Sequence, residues 1–212
     1  MKMDYQDFSE HWAREHGNVS TRGIVGAWLR VSHLLGKICT VGRISPNGIT
    51  AFGVISAAGT ALFSPHWWIA FLLLLSLLSD GIDGSTAIVQ NKSSKLGATL
   101  DSVADRVSES LWAVAFYRLG APLMWVVALW MVATLQEYAR VRLRSEGVHE
   151  IGVITLAERP VRAIVFFLAI ILAQFQSTVD WVLGVAIIMT SLQVFSFGQV
   201  LKFARKSLKQ ID

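Results

Sequence analysis

Cysteine is all but missing. Cys39 stands alone, which excludes an intrachain disulfide and leaves a small packing residue. Charge is scarce as well. Of 212 residues 16% are charged and 53% are hydrophobic, and mean hydropathy is +0.51. That balance excludes an ordinary soluble domain and points to an integral membrane protein. No excess of positive charge calls for a nucleic acid, since the net charge is only +4. There is no repeat and no low-complexity linker, and the length suits one compact bundle. The N-terminal stretch "MKMDYQDFSEHWAREHGN" has no apolar run of signal-peptide type. The histidines show no metal-ligand spacing.

What is present is a series of apolar runs, at about 47–64, 66–89, 98–118, 121–143, 159–177 and 179–201. Each approaches the ~20 residues that a helix needs to cross the hydrocarbon core. Only helices or closed barrels satisfy the backbone there, and the runs do not alternate with period two. The expected fold is therefore all-α, a bundle of six transmembrane helices. Basic residues are lacking on one side of it. "SPHW", "RLGAP" and "QSTVDW" hold only Arg118, while the N-terminal segment, the other connections and the C-terminus are rich in Lys and Arg. That asymmetry places both termini in the cytoplasm and the protein in the cytoplasmic membrane as a multi-pass chain. Trp67, Trp68, Trp125 and Trp181 mark the opposite face.

Ahead of the first span, "TRGIVGAWLRVSHLLGKICTVGRI" mixes Arg22, Arg30 and Lys37 with Ile24, Val25, Trp28, Val31, Leu34 and Leu35 at helical spacing. It reads as an amphipathic helix on the cytoplasmic membrane surface. Residues 1–44 then form a cytoplasmic segment, and residues 45–212 the six-helix transmembrane domain.

Against this apolar background four acids stand out. Asp80 and Asp83 share a face near the end of the second span, and Asp101 and Asp105 share one at the start of the third. The two spans are consecutive and antiparallel, so the carboxylates can converge. Unpaired anions in a low dielectric would repel and partly neutralise. Hard divalent cations, Mg²⁺ or Mn²⁺, resolve that, and two ions bridged by aspartates suit phosphoryl displacement. Membrane acids also mark ion paths or pair with a residue such as Arg106, so a small cation transporter is the rival.

"DGIDGSTAIVQNKSSKLGATLDSVAD" resembles the CDP-alcohol phosphotransferase signature: Asp-x-x-Asp-Gly-x-x-Ala-Arg, eight residues, Gly-x-x-x-Asp-x-x-x-Asp. Every spacing agrees; Ile88 departs, standing where the family has Arg. The resemblance implies a membrane enzyme, usually a homodimer, that displaces CMP from a CDP-linked lipid with an alcohol. It implies two divalent cations held by Asp80, Asp83, Asp101 and Asp105, with Asp105 also the general base. It implies CDP-lipid contacts at Asp80, Gly84 and Ser94. "SPNGIT" resembles the family's Pro-x-x-x-Thr turn, adding Asn47 and Thr50, although Asn47 before Gly48 is also a plain helix-start signal. Ile88 is expected on the approach to the diphosphate. Lys92, Lys95 or Arg106 would supply the missing cation, unless the chain is an inactive member.

"QEYARVRLRSEG" and "LAERPVRAI" resemble segments of the actinobacterial phosphatidylinositol-phosphate synthases. That match implies Arg140, Arg142 and Arg162 on the phosphate of inositol 1-phosphate, with CDP-diacylglycerol as the lipid donor. The positive-inside rule accounts for part of this arginine set. The last helix shows no clean equivalent of the family's Arg, with Lys202 nearest, so glycerol 3-phosphate stands as an alternative acceptor.

Overall fold

The computed structural model describes residues 3–15, 20–148, 154–175 and 180–209. Among these the chain is all-α, with eight helices: α1 Tyr5–Glu15, α2 Gly23–Val41, α3 Pro46–Phe63, α4 Ile69–Val89, α5 Lys95–Arg118, α6 Leu123–Ser145, α7 Arg159–Leu172 and α8 Trp181–Leu208. A helix thus stands at each of the six expected spans and at the expected surface helix. Residues 176–179, where the fifth expected span ends and the sixth begins, lie outside the described residues.

Local chemistry sets the helix ends. α5 and α6 close through Gly120 and Gly147, whose φ values are +111° and +88°. Each gives a Schellman turn, in which Ala121 N–H donates to Phe116 O and Val148 N–H to Leu143 O. α2 and α4 close the same way with Arg43 and Asn91 at positive φ. Asp180 caps α8, its Oδ1 accepting from Leu183 N–H at 2.9 Å. The helix-start signal at Asn47 is displaced: α3 begins at Pro46, and the capping oxygen is Ser45 Oγ, which accepts from Gly48 N–H at 3.1 Å.

Among the described residues, α4 and α8 are the helices long and apolar enough to cross a membrane on length and composition alone. The other four expected spans fall short for visible reasons. α3 has only 18 residues and opens on Pro46, Asn47 and Gly48, α7 has 14 residues, α5 carries Asp101, Asp105, Arg106 and Glu109, and α6 ends in a run of arginines.

The chain forms two compact units. One comprises residues 1–56 and 75–108, the other residues 57–74 and 109–212. In the second unit α8 packs on α6 and α7. In the first, α1 packs on α2. α1 is an addition to the expected helices: it is polar on average, and its one buried side chain, Phe8, finds its partners far along the chain. Phe8 joins Leu29, Ile88 and Val89 in a closed apolar cluster, with Met3, Tyr5, Trp12 and Val25 around it.

His33 pins this assembly. Its ring stacks on Phe8 at 4.9 Å, tilts against Tyr5 at 5.7 Å, and brings Nε2 within 3.3 Å of Met3 O. Burial holds its pKa below the ordinary 6.5, outweighing the Met3 carbonyl and Asp4, with Lys37 adding to the lowering. A folded value below the unfolded one means that the contribution is whole above pH 6.5 and declines as pH falls below it, where the unfolded chain binds the proton more readily. Hydrogen exchange across residues 5–15, corrected for intrinsic rates, should therefore be faster at pH 5.5 than at 7.5. Equal protection at both would remove His33 from this role.

Candidate metal centre

The acids sit where α4 hands over to α5, inside the first unit. After α4 the Asn91 turn reverses the chain, and Ser94 caps α5 by accepting from Gly97 N–H at 3.0 Å. The reversal brings Asp80, from α4, to Asp101 and Asp105, one turn apart on α5. One oxygen from each lies within 4.8 Å of the other two, and all three groups are partly exposed. Oxygens that share one Mg²⁺ lie at most about 4 Å apart, at ~2.1 Å per bond. The triad needs only a small side-chain adjustment to hold such an ion, and its hard carboxylate donors fit Mg²⁺ or Mn²⁺.

Asp83 stands outside this triad. It is 3% exposed, and its Oδ2 accepts the Thr50 hydroxyl at 2.5 Å. Thr50, expected on the nucleotide, thus also ties α3 to α4. Gly84 is exposed, and a Cβ there would meet nothing within 4 Å. The space beside it is open to a ligand rather than filled by a neighbouring helix. Asn47 and Ser94 are exposed at the starts of α3 and α5, with the Ser94 hydroxyl engaged as the cap.

Ile88 is not on an open approach. It is 2% exposed in the cluster with Phe8, Leu29 and Val89, on the side of α4 that α1 and α2 cover. The expectation that Ile88 lies on the approach to the diphosphate is therefore corrected: this chain uses the position to dock its own N-terminal helix. Lys92 and Lys95 lie exposed in and just after the α4–α5 turn.

The arginines belong to the second unit. Arg140 grips Glu158 with both guanidinium nitrogens, at 2.7 and 2.5 Å, and reaches Glu137 at 3.1 Å. Arg162 donates to Glu109, to Ala157 O at 2.5 Å and to Gln193 Oε1 at 3.3 Å. Gln193 donates on to buried Gln136 at 3.0 Å. Burial alone would raise the pKa of Glu158, but the bonds from Arg140 and from Thr155 N–H and Oγ prevail and hold it below the usual carboxylate range. Arg142 is not gathered with these two; it is exposed and pairs with Glu146 one turn on. Lys202 is exposed on α8. Glu109 and Glu158, the internal counter-ions, carry no role in the sequence reading. The available sign was Glu109 continuing the four-residue step of Asp101 and Asp105 into an apolar run.

Residues 43–194 match the CDP-alcohol phosphatidyltransferase family. The chain is 26% identical over 185 residues to a phosphatidylinositol phosphate synthase of Mycolicibacterium smegmatis, across 79% of this chain and 83% of that protein. It is 32% identical over 155 residues to an archaetidylinositol phosphate synthase of Aeropyrum pernix, across 69% and 79% respectively. In fold it is similar to the crystal structure of the Mycobacterium tuberculosis phosphatidylinositol phosphate synthase with CDP-DAG bound, at a TM-score of 0.66 and 19% identity, over 82% of this chain and 94% of that one. The same synthase has been solved with manganese and citrate, at a TM-score of 0.64 and 18% identity, over 82% and 87%.

Proposed function

The chain belongs to the CDP-alcohol phosphatidyltransferase family, and from that premise we propose that it transfers the phosphatidyl group of CDP-diacylglycerol to inositol 1-phosphate, giving phosphatidylinositol phosphate and CMP. It is an enzyme of phospholipid synthesis and a membrane protein, which sets aside the transporter reading of the acids. The observation that carries the chemistry is the convergence of Asp80, Asp101 and Asp105 within 4.8 Å.

In this reading the three acids, with Asp83 beside them, hold two divalent ions, Mg²⁺ or Mn²⁺. When bound, those ions would polarise the diphosphate and stabilise CMP as it leaves. Asp105 takes the proton from the acceptor hydroxyl, whose oxygen forms the new bond to the lipid-side phosphorus as the bond to CMP breaks. Gly84, with open space beside it, lets the nucleotide approach the α4 backbone; Asn47, Thr50 and Ser94 complete the CDP-lipid contacts. Arg140 and Arg162 take the acceptor's phosphate, with Arg142 as an outer contact. The inositol phosphate acceptor is supported by the similarity to phosphatidylinositol phosphate and archaetidylinositol phosphate synthases. Glycerol 3-phosphate is the second reading, favoured by the thinness of the basic set, in which Arg142 turns away to Glu146.

Residues 45–212 form the catalytic domain in this reading, with α3 to α8 crossing the membrane six times. Residues 1–44 lie on its cytoplasmic side, as do both termini and the active site, and the working form is a homodimer. On α2 the side chains of Val31, Leu34, Ile38 and Val41 are exposed at helical spacing, the face that a bilayer surface would cover.

One panel tests the reaction. Purified protein with CDP-diacylglycerol should release CMP with inositol 1-phosphate, less with glycerol 3-phosphate, and not with free inositol. Excess chelator should abolish release, and Mg²⁺ or Mn²⁺ should restore it. Full activity in chelator would end the metal reading, and a preference for glycerol 3-phosphate would replace the acceptor.

A further inference from the structure

The stretch "DGIDG" contains two glycines with opposite surroundings. Beside Gly84 the space is open. Beside Gly81 it is filled: a Cβ built there would lie 2.4 Å from Trp28 Cζ2 and 3.3 Å from Cε2 and Cη2. The indole of α2 thus rests on the α4 backbone at the residue that follows Asp80. A second close approach runs the other way. Gly36 of α2 would place a Cβ 3.4 Å from Val89 Cγ2 and 3.5 Å from Ser85 O and Thr86 Cα. Between these two points Leu29 and Ser32 are fully buried. α2 is therefore seated on the part of α4 that carries the acids, by one glycine from each helix.

The seating matters because the carboxylate triad draws on two helices. Asp80 comes from α4, and Asp101 and Asp105 from α5, with only a short turn between the helices. A rotation of α4 by a few tens of degrees would swing Asp80 away from the pair. Trp28 is large and rigid, and packed cores do not deform continuously, so its contact at Gly81 sets that rotation. We propose that Trp28 is a positioning residue of the metal centre, acting on Asp80 through Gly81. The proposal rests on the reading that Asp80, Asp101 and Asp105 bind the divalent ion.

The test is Mn²⁺ binding to the purified full-length protein, read as free Mn²⁺ by electron paramagnetic resonance, with no turnover required. Trp28→Ala should weaken binding by about 10–100-fold, the range typical of lost support behind metal ligands. Gly81→Ala should weaken it comparably, since its methyl group collides with the indole. The double variant Trp28→Ala/Gly81→Ala should bind better than Gly81→Ala alone, because removing the indole relieves that collision. Cancellation reports that the two residues meet, since contacting residues couple; melting of each variant separates the roles, because positioning lowers Mn²⁺ affinity in Trp28→Ala while a merely structural loss lowers melting alone. Wild-type affinity in Trp28→Ala, or additive losses in the double variant, overturns the proposal. If Gly81→Ala does not fold, Trp28→Leu decides by the same titration, and an unchanged affinity refutes the positioning role. Absence of Mn²⁺ binding in the wild type would instead refute the metal reading itself, and this proposal with it.

Discussion

Asp105→Asn should lower CMP release by about 10²-fold or more, the scale of losing a general base. The substitution keeps size and polarity, so the α5 cap at Ser94 and the approach of Asp80 and Asp101 stay in place. In the proposed mechanism it removes two things at once: one anionic ligand from the triad of oxygens within 4.8 Å, and the proton acceptor. Excess Mn²⁺ separates them. A weakened metal site refills at high ion concentration, whereas a missing base does not return. The expected result is a turnover that stays low at saturating Mn²⁺, while CDP-diacylglycerol still binds. Full recovery at high Mn²⁺ would reduce Asp105 to a ligand and assign the proton elsewhere.

Ile88→Arg should unfold or strip the N-terminal helices rather than improve nucleotide binding. Restoring the family's residue at this place would look harmless on sequence grounds. In this structure the side chain is 2% exposed among Phe8, Leu29 and Val89. Burying an unpaired guanidinium costs several kcal/mol even after relaxation, and here a well-packed apolar side chain is lost as well. The expected loss is about 3–5 kcal/mol, unless the arginine escapes by undocking α1. Melting in detergent reads the first outcome, and rapid hydrogen exchange over residues 5–15 reads the second. Ile88→Val is the control, at about 0.5–1.5 kcal/mol. An Ile88→Arg protein with wild-type melting, a protected α1 and tighter CDP binding would put position 88 back on the approach to the diphosphate.

The aspartates were legible because a spacing of three or four residues fixes a shared helix face without any knowledge of neighbours. Helices at the six apolar runs were legible because such runs satisfy their backbone only as helices or closed barrels, and these do not alternate with period two. Caps were read less well. Asn47 and Ser45 are both good capping residues, and the choice depended on where Pro46 set the first turn. α1 does carry a face of Tyr5, Phe8 and Trp12 at helical spacing, but that face is sparse on an otherwise polar helix, and what it packs on, Leu29, Ile88 and Val89, comes from distant parts of the chain.

The sequence by itself determined the chemistry available: four acids at helical spacings, arginines at the ends of apolar runs, and an all-α chain suited to a bilayer. Only tertiary structure decided how those groups are used. It drew Asp80, Asp101 and Asp105 into one cluster and left Asp83 bonded to Thr50. It neutralised Arg140 with Glu158 and Arg162 with Glu109, and it placed Ile88 in the seat of α1 rather than on the approach to a diphosphate. The physical reason is range. Helical spacing acts over three or four residues, whereas Phe8 on Ile88, Trp28 on Gly81 and Arg162 on Glu109 are contacts between residues 50 or more positions apart, set by which helices pack together.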